Sequence, residues 1–279
     1  MGPLAPFLQP QGFARPHVAA VLREASVLTE GARYVVRQRA EHRDRRGLPL
    51  AVRQADRSGL PVVLVPGFMA GDGSLTLLAR SLRQQGFRTY RSHIHANVGC
   101  TVDATILLER RIEAIVLRRG QRVQLVGHSL GGLLARALAT RRPDLIEGII
   151  TMGSPIQAPG AHHLGISAGV EALVRLSRAG LPGLMSEECV AGTCARQSFE
   201  ESRRPVPAGM GFAVIYSRRD GVVDWRACLD PPAVAVEVTT SHIGMAVDPR
   251  VRDHVVALLR DRSPSVSRDG SELHRGVGA

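Results

Sequence analysis

Between residues 61 and 152 the chain repeats one unit: a short strand-like run, a turn, then a stretch with helical spacing. Val62-Val63-Leu64-Val65 stops at Pro66-Gly67, Arg122 to Val126 runs into Gly127, and Gly148 to Met152 is a third such run. A strand that is apolar at every position has no face for water, so it must be covered on both sides, as parallel strands between two helical layers are. The intervening stretches, Leu75 to Gln85, Val102 to Arg119 and Leu133 to Thr140, predict those helices; Gly86 and Gly120 close the first two. Phe87 to His95, Phe212 to Tyr216 and Ala233 to Val238 predict three more strands, and Val251 to Leu259 a last helix. The alternation predicts an α/β fold with a mostly parallel central sheet and helices on both faces.

Around this repeat the chain divides into three further parts. Residues 1–57 read as an N-terminal helical lead-in, with apolar residues at helical spacing in Val18 to Leu28 and Ala32 to Arg39 and Arg on the remaining face. Such a segment packs on the main domain; the sharper alternative is a basic helix making peripheral contact with a membrane surface. Residues 58–262 form the main domain. Within it, residues 155–207 lose periodicity, are rich in Pro, Gly and Ser, hold one helical stretch at Val170 to Arg178, and fit a cap or lid insertion. The tail, 263–279, is polar and Gly-rich and is expected to be disordered.

Composition removes several functions. All 36 basic residues are Arg and none is Lys, which excludes Schiff-base chemistry and a phosphate-loop lysine. The net charge of +11 is spread along the chain, with no basic block interleaved with aromatics, so no nucleic-acid partner is expected. Cys100, Cys189, Cys194 and Cys228 are too few for a disulfide scaffold. The spacing of Cys189 and Cys194 fits no usual zinc pattern, and a disulfide between them needs an oxidising compartment. His93, His95, His162 and His163 lack nearby carboxylates or thiolates, so neither metal nor cofactor is expected. No apolar core of a signal peptide stands in Met1 to Pro16 and no run has the length of a membrane span, which predicts a cytoplasmic protein.

The chemistry-bearing string is Val126-Gly127-His128-Ser129-Leu130-Gly131-Gly132. Gly-x-Ser-x-Gly alone is weak, and Gly165-Ile166-Ser167-Ala168-Gly169 is a second match. Context separates the two. A nucleophile presented on a strand-to-helix bend needs an apolar strand before it and a helix after it. Ser129 has both, whereas Ser167 follows Pro159, Gly160 and two His with no strand before it.

A serine hydroxyl becomes a nucleophile when a base takes its proton and an acid holds that base in one tautomer. In this arrangement the acid and then the His follow the Ser along the chain. Asp220 follows the strand Phe212 to Tyr216, and His242 follows the strand Ala233 to Val238; both fall where open α/β sheets place their sites. Asp224 competes as the acid, while His254 lies in the last helix and His274 in the tail. The oxyanion formed on attack needs two backbone N–H groups. Leu130, after the nucleophile, supplies one, and Phe68, in the loop after Val65, is the candidate for the other.

These stretches, with Val65-Pro66-Gly67-Phe68, Tyr216-Ser217-Arg218-Arg219-Asp220-Gly221-Val222-Val223 and Ser241-His242-Ile243-Gly244, resemble the bacterial triacylglycerol lipase and esterase branch of the α/β-hydrolase superfamily. The similarity runs from about Pro61 to Leu259. The aspartate before Gly221-Val222 looks like that group's triad acid, which favours Asp220 over Asp224. The resemblance implies hydrolysis of a carboxylic ester with an apolar, lipid-like acyl part, under a mobile cap. Pro66 stands where many of these lipases have His. Two other functions share the sequence features: an acyltransferase or thioesterase using the same acyl-enzyme, and a non-catalytic binding protein on the same scaffold.

Overall fold

The computed structural model describes residues 4–46 and 59–261. The tail at 263–279 and most of the segment joining lead-in to main domain lie outside the described residues. The lead-in is a 3-10 run, Val18–Ser26, continuing into α1 (Val27–Arg46). The main domain then runs β1 (Pro61–Val65), α2 (Thr76–Gln84), β2 (Arg88–Arg91), α3 (Thr101–Arg119), β3 (Val123–His128), α4 (Leu130–Arg141) and β4 (Ile146–Met152). After β4 come α5 (Leu164–Arg178), α6 (Glu187–Val190) and α7 (Thr193–Arg203), and the chain closes with β5 (Gly211–Tyr216), β6 (Val234–Glu237) and α8 (Pro249–Arg260).

The six strands among the described residues form one sheet in the order β2-β1-β3-β4-β5-β6, with every pair parallel. Each strand predicted from sequence is present, although Phe87 to His95 shortens to Arg88–Arg91. The apolar runs are explained by a core on each face. Val62 and Leu64 point to one side with Leu78 and Leu82 of α2 and Val255 and Leu259 of α8. Val63 and Val65 point to the other, with Leu108 and Ile112 of α3 and Leu134 and Leu138 of α4. Each such side chain, fully buried, contributes about 1.5–3 kcal/mol. A polar residue at Val63 or Leu64 would have no water to turn to on either side.

The chain leaves β1 towards β2 on one side and returns to β3 on the other, so direction reverses between β1 and β3. At such a reversal the loops at the strand C-termini diverge and leave a crevice. The ends of β1 and β3, at Val65 and His128, flank it; those of β4 and β5, at Met152 and Tyr216, continue the same edge.

Two of the predicted helices begin three or more residues early. Helix α4 starts at Leu130, directly after Ser129, rather than at Leu133. Helix α5 starts at Leu164, so Ser167 lies within a helix. No described helix is long and apolar enough to cross a membrane.

Candidate active site

Ser129 sits at the bend between β3 and α4 with φ 52° and ψ −124°. A positive φ is costly for a residue with a side chain and persists only where packing enforces it. The surrounding glycines do so. A Cβ on Gly131 would lie 2.2 Å from the Val65 carbonyl oxygen, and one on Gly127 2.5 Å from the backbone of Gly131. The bend is therefore pressed against the end of β1. Across the crevice, a Cβ on Gly67 would come within 2.9 Å of the Ser129 Cβ, so the backbone leading into Phe68 runs beside the serine.

That loop is fixed from behind. Asn97, buried and the single Asn of the chain, donates its side-chain amide to the Pro66 carbonyl at 2.9 Å, while its own carbonyl accepts from Met69 N at 3.0 Å. Ala70 N donates to the Gly67 carbonyl at 3.2 Å. The Leu130 amide opens α4, where first-turn N–H groups have no partner inside the helix.

Asp220 and His242 meet. Asp220 Oδ2 lies 2.7 Å from His242 Nδ1, with both side chains buried. The other oxygen, Oδ1, accepts from Val222 N at 2.8 Å and Val223 N at 2.9 Å, which fixes the carboxylate plane. The two loops are tied directly, because Ser217 Oγ donates to the Thr240 carbonyl at 2.6 Å. The imidazole packs on Gly153, where a Cβ would stand 3.0 Å from Nδ1. Ser129 N donates to the carbonyl of Met152, the residue just before that glycine, so the serine and the ring share one corner of the sheet edge.

His128, next to Ser129, has its Nε2 2.9 Å from the His242 carbonyl oxygen, and the two rings lie 4.9 Å apart. The carbonyl can only accept, so Nε2 carries the proton and donates. Burial, and then repulsion from His242, push His128 down to about 4, so it stays neutral at neutral pH. Burial also opposes charge on His242, but the charge and hydrogen bond of Asp220, with Glu24 behind them, raise it above the ordinary imidazole value.

The remaining sequence candidates have other partners. Asp224 Oδ2 accepts from Ala14 N and Oδ1 from Arg226 N, each at 3.0 Å, so it anchors the lead-in and caps a turn. His163 caps α5 by accepting from Gly165 N at 3.0 Å. All four cysteines are free. Cys189 neighbours Cys100 instead of pairing with Cys194, and burial together with that neighbouring thiol pushes the Cys100 thiol up to about 12.

An apolar cavity of about 140 Å³, partly open to solvent, has Ser129 in its wall. Phe68, Leu133, Ile166, Val170, Met185 and Val190 line it, bringing together the β1 loop, α4 and the helices after β4. Leu4 and Leu8 close one wall, so the N-terminal segment is part of the site.

The sequence did not reveal Glu24 and Glu30. Glu24 Oε1 accepts from Gly221 N at 2.9 Å and His242 N at 3.0 Å, and Oε2 from Ile243 N at 2.9 Å. Glu30 accepts from Ser241 N at 2.9 Å and Ser241 Oγ at 2.7 Å. The usable signal was spacing. Ala20 and Glu24, then Glu30 and Tyr34, are pairs four apart, and all four are buried.

The sheet, the bend at Ser129 and the two late loops together make this an α/β-hydrolase fold. Residues 103–175 match the PGAP1-like alpha/beta domain family. A triacylglycerol lipase of Vibrio cholerae serotype O1 is 28% identical over 138 residues, which cover 47% of this chain and 40% of that protein. The chain thus spans less than half of this curated relative. Among solved structures, the mature lipase BlEst2 of Bacillus licheniformis superposes with a TM-score of 0.58 at 16% identity, covering 76% of this chain and 96% of that one. A monoacylglycerol lipase of Paleococcus ferrophilus gives 0.52 at 17% identity, covering 74% and 97%.

Proposed function

We propose that the protein is a serine carboxylester hydrolase acting on esters with an apolar, lipid-like acyl part. The observation that supports this reading is the buried 2.7 Å contact of Asp220 with His242, at the same sheet edge as a serine on a positive-φ bend that lines an apolar cavity. In the proposed mechanism Asp220 holds Nδ1–H, leaving Nε2 of His242 to take the Ser129 proton as Oγ attacks the ester carbonyl. The oxyanion is met by the amides of Leu130 and Phe68. His242 then gives its proton to the departing alcohol, leaving an acyl-enzyme. Water, deprotonated by the same imidazole, releases the acid and restores Ser129.

The lining of the cavity supports acyl selectivity. Each further methylene bury adds about 0.8 kcal/mol until the pocket is filled, so kcat/KM should rise with chain length and then level off. A panel of p-nitrophenyl esters from acetate to palmitate tests this. The expected result is hydrolysis that increases with acyl length in the wild type and vanishes in Ser129→Ala. Activity on acyl esters that survives Ser129→Ala would end the proposal.

A further inference from the structure

Glu24 is a buried carboxylate in a segment whose other face is exposed and arginine-bearing. Taking a carboxylate out of water costs several kcal/mol unless its oxygens find donors. Here the donors are three main-chain amides from two loops far away in sequence. Gly221 N belongs to the loop after β5 that carries Asp220, and His242 N and Ile243 N belong to the loop after β6 that carries the imidazole. The approach is close enough that a Cβ on Gly221 would stand 2.3 Å from the Ala20 carbonyl and 3.0 Å from Glu24 Oε1. Next to it, Ser26 Oγ donates to Glu30 Oε1 at 3.1 Å, and Glu30 grips Ser241, so the same face of the lead-in holds three successive residues of the histidine loop.

We propose that Glu24 is a positioning residue of the active site: its carboxylate, delivered by the N-terminal lead-in, fixes the two loop backbones so that Asp220 and His242 stay in register with Ser129. The inference rests on the triad reading above. It goes beyond that reading by making residues before the hydrolase domain part of the catalytic arrangement. Besides geometry, Glu24 supplies a negative charge near the imidazole. The titratable groups facing His242 are Asp220 from the loop after β5, His128 from β3 and Glu24 from the lead-in, with Glu30 one residue further along on Ser241. Removing one negative charge from this set makes the protonated imidazole harder to form, so the neutral base persists to lower pH.

The test is steady-state hydrolysis of a p-nitrophenyl ester across pH for wild type, Glu24→Gln, Glu24→Asp and Ser129→Ala. Glu24→Gln keeps the shape but turns an N–H₂ towards amide donors. It should lower kcat by about tenfold or more, as small misplacements of catalytic groups do, with KM little changed. The acid limb of its kcat/KM profile should move to lower pH. Glu24→Asp keeps the charge but withdraws it by one methylene, so kcat should fall while the acid limb stays in place. Wild-type kcat and an unmoved acid limb in Glu24→Gln would overturn the proposal, as would a loss expressed in KM alone. If Glu24→Gln does not fold by circular dichroism, Glu24→Asp decides, and wild-type kcat there overturns it. Undiminished hydrolysis by Ser129→Ala would instead sink the triad reading itself, which separates the two failures.

Discussion

His128 and His242 lie ring against ring and are driven in opposite directions, and this has a consequence for stability. His128 is held neutral down to about 4, so between about pH 6.5 and 4 the unfolded chain binds a proton that the folded one refuses. Stability is therefore unaffected above 6.5 and declines as pH falls towards 4, the loss reaching about 3 kcal/mol at the bottom of that window. His162, also lowered by burial, acts in the same sense. His242 is raised, so its contribution is present below 6.5 and lost only as pH rises through its higher folded value. The two windows do not overlap. Urea unfolding at intervals from pH 7 to 4 should therefore show stability declining with acid, and His128→Asn should flatten that decline. An identical slope in the variant would show that His128 is not its source.

The same residues mark what the sequence could reveal. The placement of Ser129 at the β3–α4 bend, and of Asp220 and His242 after β5 and β6, was legible because a strand-to-helix turn and two strand ends fix these positions locally. Glu24 and Glu30 were not, because their meaning lies in amides roughly two hundred residues away. A carboxylate in an arginine-rich helix reads as half of a surface ion pair until the tertiary partner is known.

Among the elements, β1 and β5 were the most legible, since burial on both faces writes itself as an unbroken apolar run. Helix α7 was missed for the opposite reason. Of its eleven residues the buried ones are Ala195, Glu201 and Ser202, which give no apolar period. It is held by a buried arginine instead. Arg136 of α4 pairs with Asp230 at 2.7 Å and also donates to the carbonyls of Ser202 and Arg204, joining the helix behind Ser129 to the end of α7. Arg136→Ala would leave Asp230 and these carbonyls without their donor. Removing one partner of a buried pair costs about 3–5 kcal/mol, so the urea midpoint should fall sharply. A shift below about 1 kcal/mol would place the pair with ordinary surface ion pairs.

At the scale of the whole molecule, the N-terminal segment from Leu4 to Ser26 is the least expected feature. It crosses the segment after β4 and the loops carrying Asp220 and His242 in turn. Ala5 N donates to the Val190 carbonyl at 3.0 Å, Gly160 N to the Leu8 carbonyl at 2.7 Å, and Ala14 N to Asp224 at 3.0 Å. Helix α1 then continues onto α8 through Arg33 with Asp248 and Arg252 with Glu41. The sequence reading of a lead-in packed on the domain describes its place but not its depth, because backbone hydrogen bonds leave no trace in side-chain pattern. The cavity wall, the acid loop and the histidine loop are all completed by residues that precede β1.

The central claim is that one hydroxyl, Ser129, is activated by His242 and Asp220. A fluorophosphonate probe, followed by intact-mass and peptide mapping, addresses it directly. The account predicts a single adduct on Ser129, none in Ser129→Ala, and labelling slowed by about 10⁴ in Asp220→Asn but not in Asp224→Asn. An adduct on Ser167, equal labelling of Ser129→Ala, or a crippled Asp224→Asn beside an active Asp220→Asn would contradict it.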